Sequence, residues 1–480
     1  MNYSFRILFV IIFSFFLGIV NSQQFKFSEN INTSPDYKPY LCFSVEGNYI
    51  LVQKKIKSSI CDLKLNLFNS NLKSTNQFDV KIKEHVFVSM RQIFNKIFLF
   101  TSKNENNSTL LYVHEFNINN GFINTKQIYK EKNNGGYTAK FIISKSSYED
   151  QFFILVELPF QSGKNEDIKL LYFDNSLTLT DEVYNRLEVP FESKRDNKLL
   201  VSSTGKIYLI KTFWDKGNNF FIYPLGSEVV NELEIKLSNR KIAAIDYFFN
   251  GENELVIAGF FTSQKRYNYE GYFIHKYDSD LSLVHKNQYF LSSNIVEAFK
   301  SAKEIKEKGF GLDKFRLSNF SLDANGNHFL LAEHLTRKEV KSVNNWYSKG
   351  LLVIKFNKNG NYVWGCPVIH KQTYVDIKFL GAFKLNNFND PQYFYNSLEN
   401  INLRKGVPVE YGSNNFCGTK SISFSSVGLS EKNILRLDIP NNEGMKYAFY
   451  PKQLNPYETS KSIFSLLDKD GNNIILGLEL

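Results

Sequence analysis

Two series of turns recur along the whole chain, and they constrain its fold more than any other feature. In the first series, an aromatic residue ends a strand-like run and is followed closely by Asn, Asp or Gly. Its members begin at Phe68, Phe116, Phe173, Tyr223, Tyr277 and Phe356, with steps of 48, 57, 50, 54 and 79 residues. Asn and Asp favour such corners because their side chains bond to the nearby backbone and tolerate left-handed conformations.

The second series places a Gly- or Asn-containing turn directly before a strongly apolar run. Its members lie at residues 46–52, 95–100, 204–210, 251–257, 325–330 and 470–475. Asn-Gly and Asp-Gly between apolar runs indicate β-hairpins. The two series alternate, so each unit of roughly 50 residues contains four strands, which is the size of a propeller blade.

Residues 243–291 show one complete unit. The run ELVIAGFF at residues 254–261 is apolar at nearly every position, which predicts an inner strand buried on both faces. The run LVHKNQYF at residues 283–290 is more polar and predicts an outer strand. The 45 Phe and 27 Tyr of the chain also favour strands.

We therefore predict an all-β fold, a single β-propeller of seven or eight four-stranded blades with one short helical insertion between blades. Seven units run from Tyr40 to about Ile439. The leftover hairpin, residues 462–480, is expected to pair with residues 24–27 and close the ring, because closure removes exposed sheet edges. Two β-sandwiches in tandem are the rival all-β arrangement, but sandwiches do not impose one period along an entire chain.

The sequence resembles a known group at these turns. The segments DANGN at residues 323–327 and DKDGN at residues 468–472 resemble the D-x-x-G-N signature of secreted propeller repeats. Residues 292–364 are similar to uncharacterised exported β-propeller-like proteins of Gram-negative bacteria. The resemblance implies the fold and export, and it supplies no catalytic residue.

The N-terminus has the three parts of a secretory signal peptide: basic Arg6, an apolar run from Ile7 to Val20, and small polar residues up to Ser22. A transmembrane anchor is the alternative, but the run is shorter than the ~20 residues that cross a bilayer. We expect residues 1–22 to be removed and residues 23–480 to form the propeller, secreted or located in the periplasm or cell envelope. No later segment predicts a transmembrane span.

Four cysteines, Cys42, Cys61, Cys366 and Cys417, would meet an oxidising environment after export. Two disulfides are expected, Cys42 with Cys61 and Cys366 with Cys417, because each pair is close in sequence. Buried thiols are the alternative. The spacing of the cysteines matches no zinc motif.

The net charge of +10 suggests anionic partners, which for an exported protein are acidic glycans, lipid head groups or other surface polyanions rather than nucleic acid. A lysine-rich, well-solvated surface explains the same charge.

The step of 79 residues includes a helical segment at residues 293–309, with an Asn294–Glu297 capping box, Gly309 at its end and an apolar stripe. This helix is expected to pack against the disc, and a ligand lid is the alternative.

Strand order predicts that the short turns share one end of the blades and the long connections share the other. The long connections include residues 213–219, 262–271 and 336–350, which we expect to be irregular loops. Their aromatic and cationic residues suit stacking on sugars or peptides and pairing with anions. The candidate ligand-binding residues are Trp214, Lys216, Arg266, Tyr267, Arg337, Trp346 and Tyr347.

Catalytic motifs are absent from the sequence. It contains no H-E-x-x-H and no G-x-S-x-G, and the seven histidines lack ligand spacing. The run at residues 468–472 has its glycine too early for a calcium loop, so we expect no metal and no cofactor. The leading hypothesis is a monomeric, non-enzymatic binding or scaffold propeller whose partner is an envelope or extracellular glycan, peptide or protein. The alternative is a propeller hydrolase or lyase acting on glycans or peptides.

Overall fold

The fold is seen in a computed structural model, which describes most of the chain between residues 25 and 479. The described residues are 25–29, 31–32, 36–55, 60–93, 96–145, 152–161, 163–190, 195–213, 219–226, 232–263, 268–323, 325–340, 343–374, 382–385, 392–396, 419–425, 428–435, 447–450, 463–468 and 473–479. The expected signal peptide, residues 1–22, lies outside them.

These residues form 34 strands in eight antiparallel sheets, six with four strands and two with five. Two short strands come first, β1 (Phe25–Phe27) and β2 (Ile31–Asn32). Sheet 1 contains β3 (Tyr37–Val45), β4 (Asn48–Lys55), β5 (Cys61–Phe68) and β6 (Ser74–Ile82). Sheet 2 contains β7 (Val86–Ile93), β8 (Lys96–Glu105), β9 (Ser108–Asn117) and β10 (Gly121–Lys132). Sheet 3 contains β11 (Lys140–Lys145), β12 (Phe152–Glu157), β13 (Asn165–Phe173) and β14 (Leu179–Pro190).

The remaining sheets continue along the chain. Sheet 4 contains β15 (Arg195–Val201), β16 (Ile207–Phe213), β17 (Asn219–Leu225) and β18 (Leu233–Glu234). Sheet 5 contains β19 (Lys241–Phe249), β20 (Leu255–Thr262), β21 (Gly271–Tyr277) and β22 (Leu283–Phe290). Sheet 6 contains β23 (Phe315–Leu322), β24 (His328–His334), β25 (Thr336–Val340), β26 (Val343–Phe356) and β27 (Tyr362–Tyr374). Sheet 7 contains β28 (Ala382–Leu385), β29 (Gln392–Asn396), β30 (Thr419–Ser425) and β31 (Gly428–Leu435), and sheet 8 contains β32 (Tyr447–Tyr450), β33 (Ile463–Asp468) and β34 (Asn473–Glu479) with β1 and β2.

Most of the sheets are simple meanders, in which strands that follow one another in the chain are neighbours. Sheet 5 shows the predicted contrast in burial between an inner strand and an outer strand. All eight residues of β20 are buried, whereas β22 at the sheet edge has no buried residue. The apolar run and the polar run of the repeat are therefore an inner and an outer strand, as predicted.

Neighbouring sheets pack face to face through apolar side chains. Between sheets 1 and 2, Val52 and Leu65 cluster with Met90 and Leu99. Equivalent clusters join sheets 2 and 3, 3 and 4, 4 and 5, and 5 and 6. Sheet 7 contacts its neighbours through β27 with β31 and β29 with β32. Consecutive antiparallel meanders stacked in this way have β-propeller architecture, so the all-β, propeller-type prediction is confirmed.

The two ends of the described chain meet in sheet 8. Strand β1 pairs with the last strand, β34, so that Phe25 lies opposite Glu479 and Phe27 lies opposite Gly477. Strand β2 pairs with the other end of β34. With these two short strands, sheet 8 has five strands, and sheet 6 has five because of the extra strand β25. The sheets therefore differ from the predicted uniform set of four-stranded blades.

Six of the described turns share one geometry. Each begins with an Asn or Asp whose side-chain oxygen accepts hydrogen bonds from the backbone N–H groups two and four residues later. These residues are Asn69, Asp174, Asn250, Asp278, Asp323 and Asn357. The fourth turn residue has positive φ, as at Leu281 (61°) and Gly326 (78°). Members of both turn series therefore share this turn geometry. All six turns lie at the same end of the sheets, here called the turn end.

Side chains from one sheet hold the turns of the next sheet at this end. Lys126 Nζ donates to the carbonyl oxygen of Leu177 at 2.9 Å. Lys206 Nζ lies 2.7 Å from Asp280 Oδ1. Lys276 Nζ donates to the carbonyl oxygen of Lys358 at 3.2 Å, and it also pairs with Glu254. These bonds add polar links between sheets 2 and 3, 4 and 5, and 5 and 6 outside the apolar clusters.

The helical insertion differs from the prediction of one helix over residues 293–309. It consists of two short helices, α1 (Ser293–Phe299) and α2 (Ala302–Lys308), separated by extended backbone at Lys300 and Ser301. The N-cap of α1 is Ser292 and makes no side-chain capping bond, so the predicted Asn294–Glu297 box is wrong. A capping box forms instead at α2, between Ser301 and Glu304. The chain breaks at this point because Lys300 turns inward to pair with Asp313, 2.9 Å away. Gly309 ends α2 as expected.

The predicted Cys42–Cys61 disulfide is absent, and both residues are buried thiols. Strand β4 lies between the strands that carry them. Cys61 faces the cluster shared with sheet 2, as do Phe43 and Val45, so Cys42 points to the opposite face of the sheet. Two sulfur atoms on opposite faces of non-adjacent strands cannot reach disulfide geometry. Cys366 is half-buried and reduced, and Cys417 lies outside the described residues.

Within the part of the chain that the structure describes, no helix has the length and apolar character needed to cross a membrane.

Candidate functional site

The second connection of each sheet and the connections between sheets emerge at the end opposite the turns, here called the loop end. Four of the candidate binding residues, Trp214, Lys216, Arg266 and Tyr267, fall outside the described residues. The other three are Arg337, Trp346 and Tyr347 in sheet 6. The candidate site is therefore built from sheet 6.

The segment that carries these three residues is regular, which corrects the prediction of an irregular loop at residues 336–350. Strands β25 and β26 pair from Thr336 with Tyr347 to Val340 with Val343. Strand β27 extends this hairpin on its other side, pairing Trp346 with Tyr374. The segment folds as strands because its β-branched and aromatic residues favour extended backbone.

The hairpin separates the two aromatic residues that the sequence placed together. Arg337 lies directly opposite Trp346, whereas Tyr347 lies opposite Thr336. Directly opposite residues share a face of the sheet, and successive residues alternate between faces. Arg337 and Trp346 therefore form one surface and Tyr347 lies on the other. Arg337 is exposed and both aromatic residues are half-buried.

The base of the hairpin is fixed by hydrogen bonds to its surroundings. The backbone N–H of Lys349 donates to His334 Nδ1 at 3.1 Å, and Lys349 Nζ donates to the carbonyl oxygen of Phe299 at 3.0 Å. The N–H of Leu335 donates to the carbonyl oxygen of Lys314 at 2.7 Å. Burial lowers the pKa of His334 to about 4, and the charge of Lys349 acts in the same direction. His334 is thus a neutral acceptor at neutral pH.

The sequence does not predict a buried polar cluster that lies between sheets 3 and 4. Lys211 Nζ pairs with Glu166 and donates to Asn197 Oδ1 at 3.0 Å, and the side chains of Lys211 and Glu166 have no exposed area. The amide of Asn197 donates to Glu157 at 2.8 Å and to Glu166 at 3.1 Å. The available signal was a lysine inside an otherwise apolar strand, IYLIKTF. Because the charges are sealed between sheets, they bond to one another and not to a substrate.

A second polar chain crosses sheet 2. His85 Nδ1 lies 2.8 Å from Thr101 Oγ1, which lies 2.8 Å from His114 Nε2. His114 Nδ1 lies 2.9 Å from Thr125 Oγ1. Burial lowers the pKa of His114 to about 4, with His85 contributing in the same direction, so neutral His114 joins two hydroxyl groups. No group of three or more potential metal ligands occurs among the described residues.

No protein-family model and no curated protein matches the chain. Among solved structures, it is similar to the WD40 domain of SCAP from fission yeast, with 9% identity, a TM-score of 0.44 and coverage of 96% of this chain and 95% of that one. It is also similar to the β-propeller domain of the Trilobed protease from Pyrococcus furiosus, with 9% identity, a TM-score of 0.36 and coverage of 84% of this chain and 100% of that one.

A third similar structure comes from work on two prolyl endopeptidases, with 11% identity, a TM-score of 0.41 and coverage of 91% of this chain. The chain spans 55% of the length of that protein. All three scores are low, and the fold assignment rests on the sheet order and packing described above.

Proposed function

We propose that this protein is an exported, monomeric, non-enzymatic binding protein of the cell envelope or exterior. In this proposal, residues 1–22 are a signal peptide and residues 23–480 form one propeller of eight blades, one for each sheet, with sheet 8 closing the ring. The pairing of β1 with β34 supports closure, because it joins the two ends of the chain. The ligand is a glycan, a peptide or another anionic component of a cell surface.

The hairpin of β25 and β26 carries this proposal. It extends sheet 6 at the loop end beyond His334, the last residue of β24, and sets exposed Arg337 across from Trp346. An indole ring stacks on the apolar face of a sugar or on a peptide side chain, and a guanidinium group beside it pairs with a carboxylate or sulfate. The bonds at the base of the hairpin hold this surface in place, which lowers the entropy cost of binding.

The test compares two aromatic substitutions on opposite faces of the same hairpin. The purified secreted protein would be screened by biolayer interferometry against neutral, carboxylated and sulfated polysaccharides and against acidic peptides. For any probe that binds, we expect Trp346→Ala to weaken affinity about tenfold or more, because stacking on one ring is worth roughly that much. Tyr347→Ala is the matched control and should retain most of the affinity.

Two results would contradict the proposal. One is that none of the probes binds the unmodified protein. The other is a bound probe whose affinity is unchanged by Trp346→Ala, or is reduced equally by Tyr347→Ala, because the loss would then not depend on the Arg337–Trp346 surface.

A further inference from the structure

The outer strand of sheet 5, β22, has an apolar and nearly uncharged edge. It is the last strand of its sheet and, among the described strands, pairs with β21 alone. Leu283, Val284 and Phe290 are 53%, 55% and 62% exposed, and Lys286 is the one Lys, Arg, Asp or Glu residue of β22. The outer strands β10 and β14 each carry four such charged residues, which discourage pairing with other chains. The edge of β22 lacks this protection.

The backbone of β22 offers hydrogen-bonding groups along this edge. The N–H of Leu291 donates to the carbonyl oxygen of Glu270 at 3.0 Å, which continues the register between β21 and β22. In an antiparallel pair, residues that exchange hydrogen bonds with the neighbouring strand alternate with residues that do not. Because Leu291 bonds to this neighbour, the N–H and C=O groups of Lys286, Gln288 and Phe290 point away from β21. No described strand pairs with these groups.

One face of β22 is fixed by sheet 6. The amide of Asn287 donates to Asn361 Oδ1 at 3.2 Å, and the hydroxyl oxygen of Tyr289 accepts the N–H of Tyr362 at 3.1 Å. These contacts hold the strand in place without using its outer backbone groups. A strand that is fixed before binding loses little conformational entropy when a partner adds to it.

The other face presents an aromatic ring beside cations. The ring of Phe290 packs edge-on against that of buried Phe261, with centroids 5.4 Å apart, and Arg240 Cζ lies 5.3 Å from the Phe290 centroid. Lys286 is exposed on the same face of the strand as Phe290. In the part of the chain that the structure describes, neither Arg240 nor Lys286 forms an ion pair. This face therefore suits an apolar side chain opposite Phe290 and an acidic one opposite Lys286.

We infer that β22 binds an extended peptide segment of another protein, which pairs antiparallel with β22 and adds a further strand to sheet 5. Main-chain hydrogen bonds to the outer groups of β22 supply affinity, and the side chains on the Phe290 face supply specificity. Since Phe290 and Lys286 are four residues apart, the peptide has an apolar residue followed four positions later by Asp or Glu. This edge shares no residue with the hairpin of β25 and β26, so the inference does not depend on the proposed function.

The test selects peptides on the whole protein and then removes one backbone donor. A phage-displayed library of random nonapeptides would be enriched on the purified protein, and the affinity of the enriched peptides would be measured by fluorescence polarisation. Gln288→Pro removes an outward N–H and no bond to β21, a position where edge strands tolerate proline, and Gln288→Thr is its matched control. Phe290→Ala removes the exposed ring, and Leu179→Ala removes an exposed apolar side chain from β14 as its control.

We expect the enriched peptides to share the spacing of apolar and acidic residues given above. Gln288→Pro should weaken their binding about tenfold, because a main-chain hydrogen bond is lost, and Phe290→Ala about fivefold. Gln288→Thr, Leu179→Ala and Trp346→Ala should each change affinity less than about twofold.

Methylation of the peptide nitrogens gives a second measurement, in which the protein is unchanged. A bound strand directs alternate N–H groups toward β22, so methylation of one alternate set should abolish binding and methylation of the other set should preserve it. Equal effects of the two sets, enrichment of no peptide, or unchanged binding to Gln288→Pro would overturn the inference.

Two further outcomes would assign the edge or the peptides differently and overturn the inference. One is a dimer, detected by light scattering without peptide, that Gln288→Pro converts to a monomer, because β22 would then pair with a second copy of this chain. The other is a set of enriched peptides that lose affinity for Trp346→Ala but not for Gln288→Pro, because these peptides would bind the hairpin surface.

Discussion

At the scale of single residues, the six shared turns depend on their first and fourth positions. Asn or Asp at the first turn position was recognised, because its bonding chemistry is local. The shared fourth position was not recognised, since Leu72, Leu177 and Leu281 adopt positive φ there and Gly326 and Gly360 do the same. Leucine rarely takes this conformation, so no sequence rule identified it. The side-chain bonds of the first residue and the packing around the turn impose the conformation.

The first turn residue provides a test at this scale. Asp278 Oδ1 accepts N–H groups from Asp280 at 2.9 Å and Ser282 at 2.8 Å. We expect Asp278→Ala to lower the free energy of unfolding by about 1 kcal/mol, since two partly exposed hydrogen bonds are lost. Asp278→Asn should change it little, because Asn fills the same position at Asn69 and Asn357. Urea denaturation measures both, and equal destabilisation by the two substitutions would show that the turn bonds do not matter.

The buried Lys211 cluster lay beyond residue-level prediction for a different reason. Its partners Glu166 and Asn197 belong to other strands, one of them in another sheet. A lysine in an apolar strand indicates that a partner must exist, because an isolated buried charge is too costly. The identity of that partner depends on how the sheets pack, which the strand pattern does not contain.

At the scale of elements, the repeat predicted strands well and irregular segments poorly. The unit at residues 243–291 was divided correctly into four strands, because its turns and apolar runs are local signals. The β25–β26 hairpin was read as a loop because it is an addition to the repeat and most of its residues are polar. The helical insertion was correctly located but divided differently, because the inward turn of Lys300 depends on Asp313 in the following segment.

The ion pair between Lys300 and Asp313, at the break between α1 and α2, gives a prediction about stability. Burial alone would raise the pKa of Asp313, yet the hydrogen bond and charge of Lys300 hold it below its usual value. The side chain of Lys300 is only 4% exposed. We expect Asp313→Ala to lower the free energy of unfolding by about 2 kcal/mol, because it leaves a buried ammonium group without its carboxylate. Chemical denaturation measures the loss.

The control for this prediction removes both charges. In Lys300→Met/Asp313→Ala, the buried position is apolar and no charge is left unpaired, so most of the lost stability should return. If the double variant is less stable than Asp313→Ala, the loss of stability does not come from an unpaired ammonium group.

At the scale of the whole molecule, the period of the sequence predicted the succession of sheets. Between Tyr37 and Leu435 the strands follow one another in successive antiparallel sheets, most of them four-stranded. The ends of the chain were expected to meet, and β1 lies beside β34. The candidate site was only partly predictable, since its faces depend on strand register.

The proposed closed propeller depends on pairing between the two ends of the chain, and a cysteine pair tests this most directly. Lys26 and Leu478 are opposite each other in β1 and β34. Such Cα pairs lie within disulfide range. We expect Lys26→Cys/Leu478→Cys to form a disulfide under mild oxidation, detected by peptide mass spectrometry, and Lys26→Cys/Lys286→Cys to form none. If the Lys26→Cys/Leu478→Cys protein is folded but its two new thiols remain free, the ends do not meet and the closed ring is wrong.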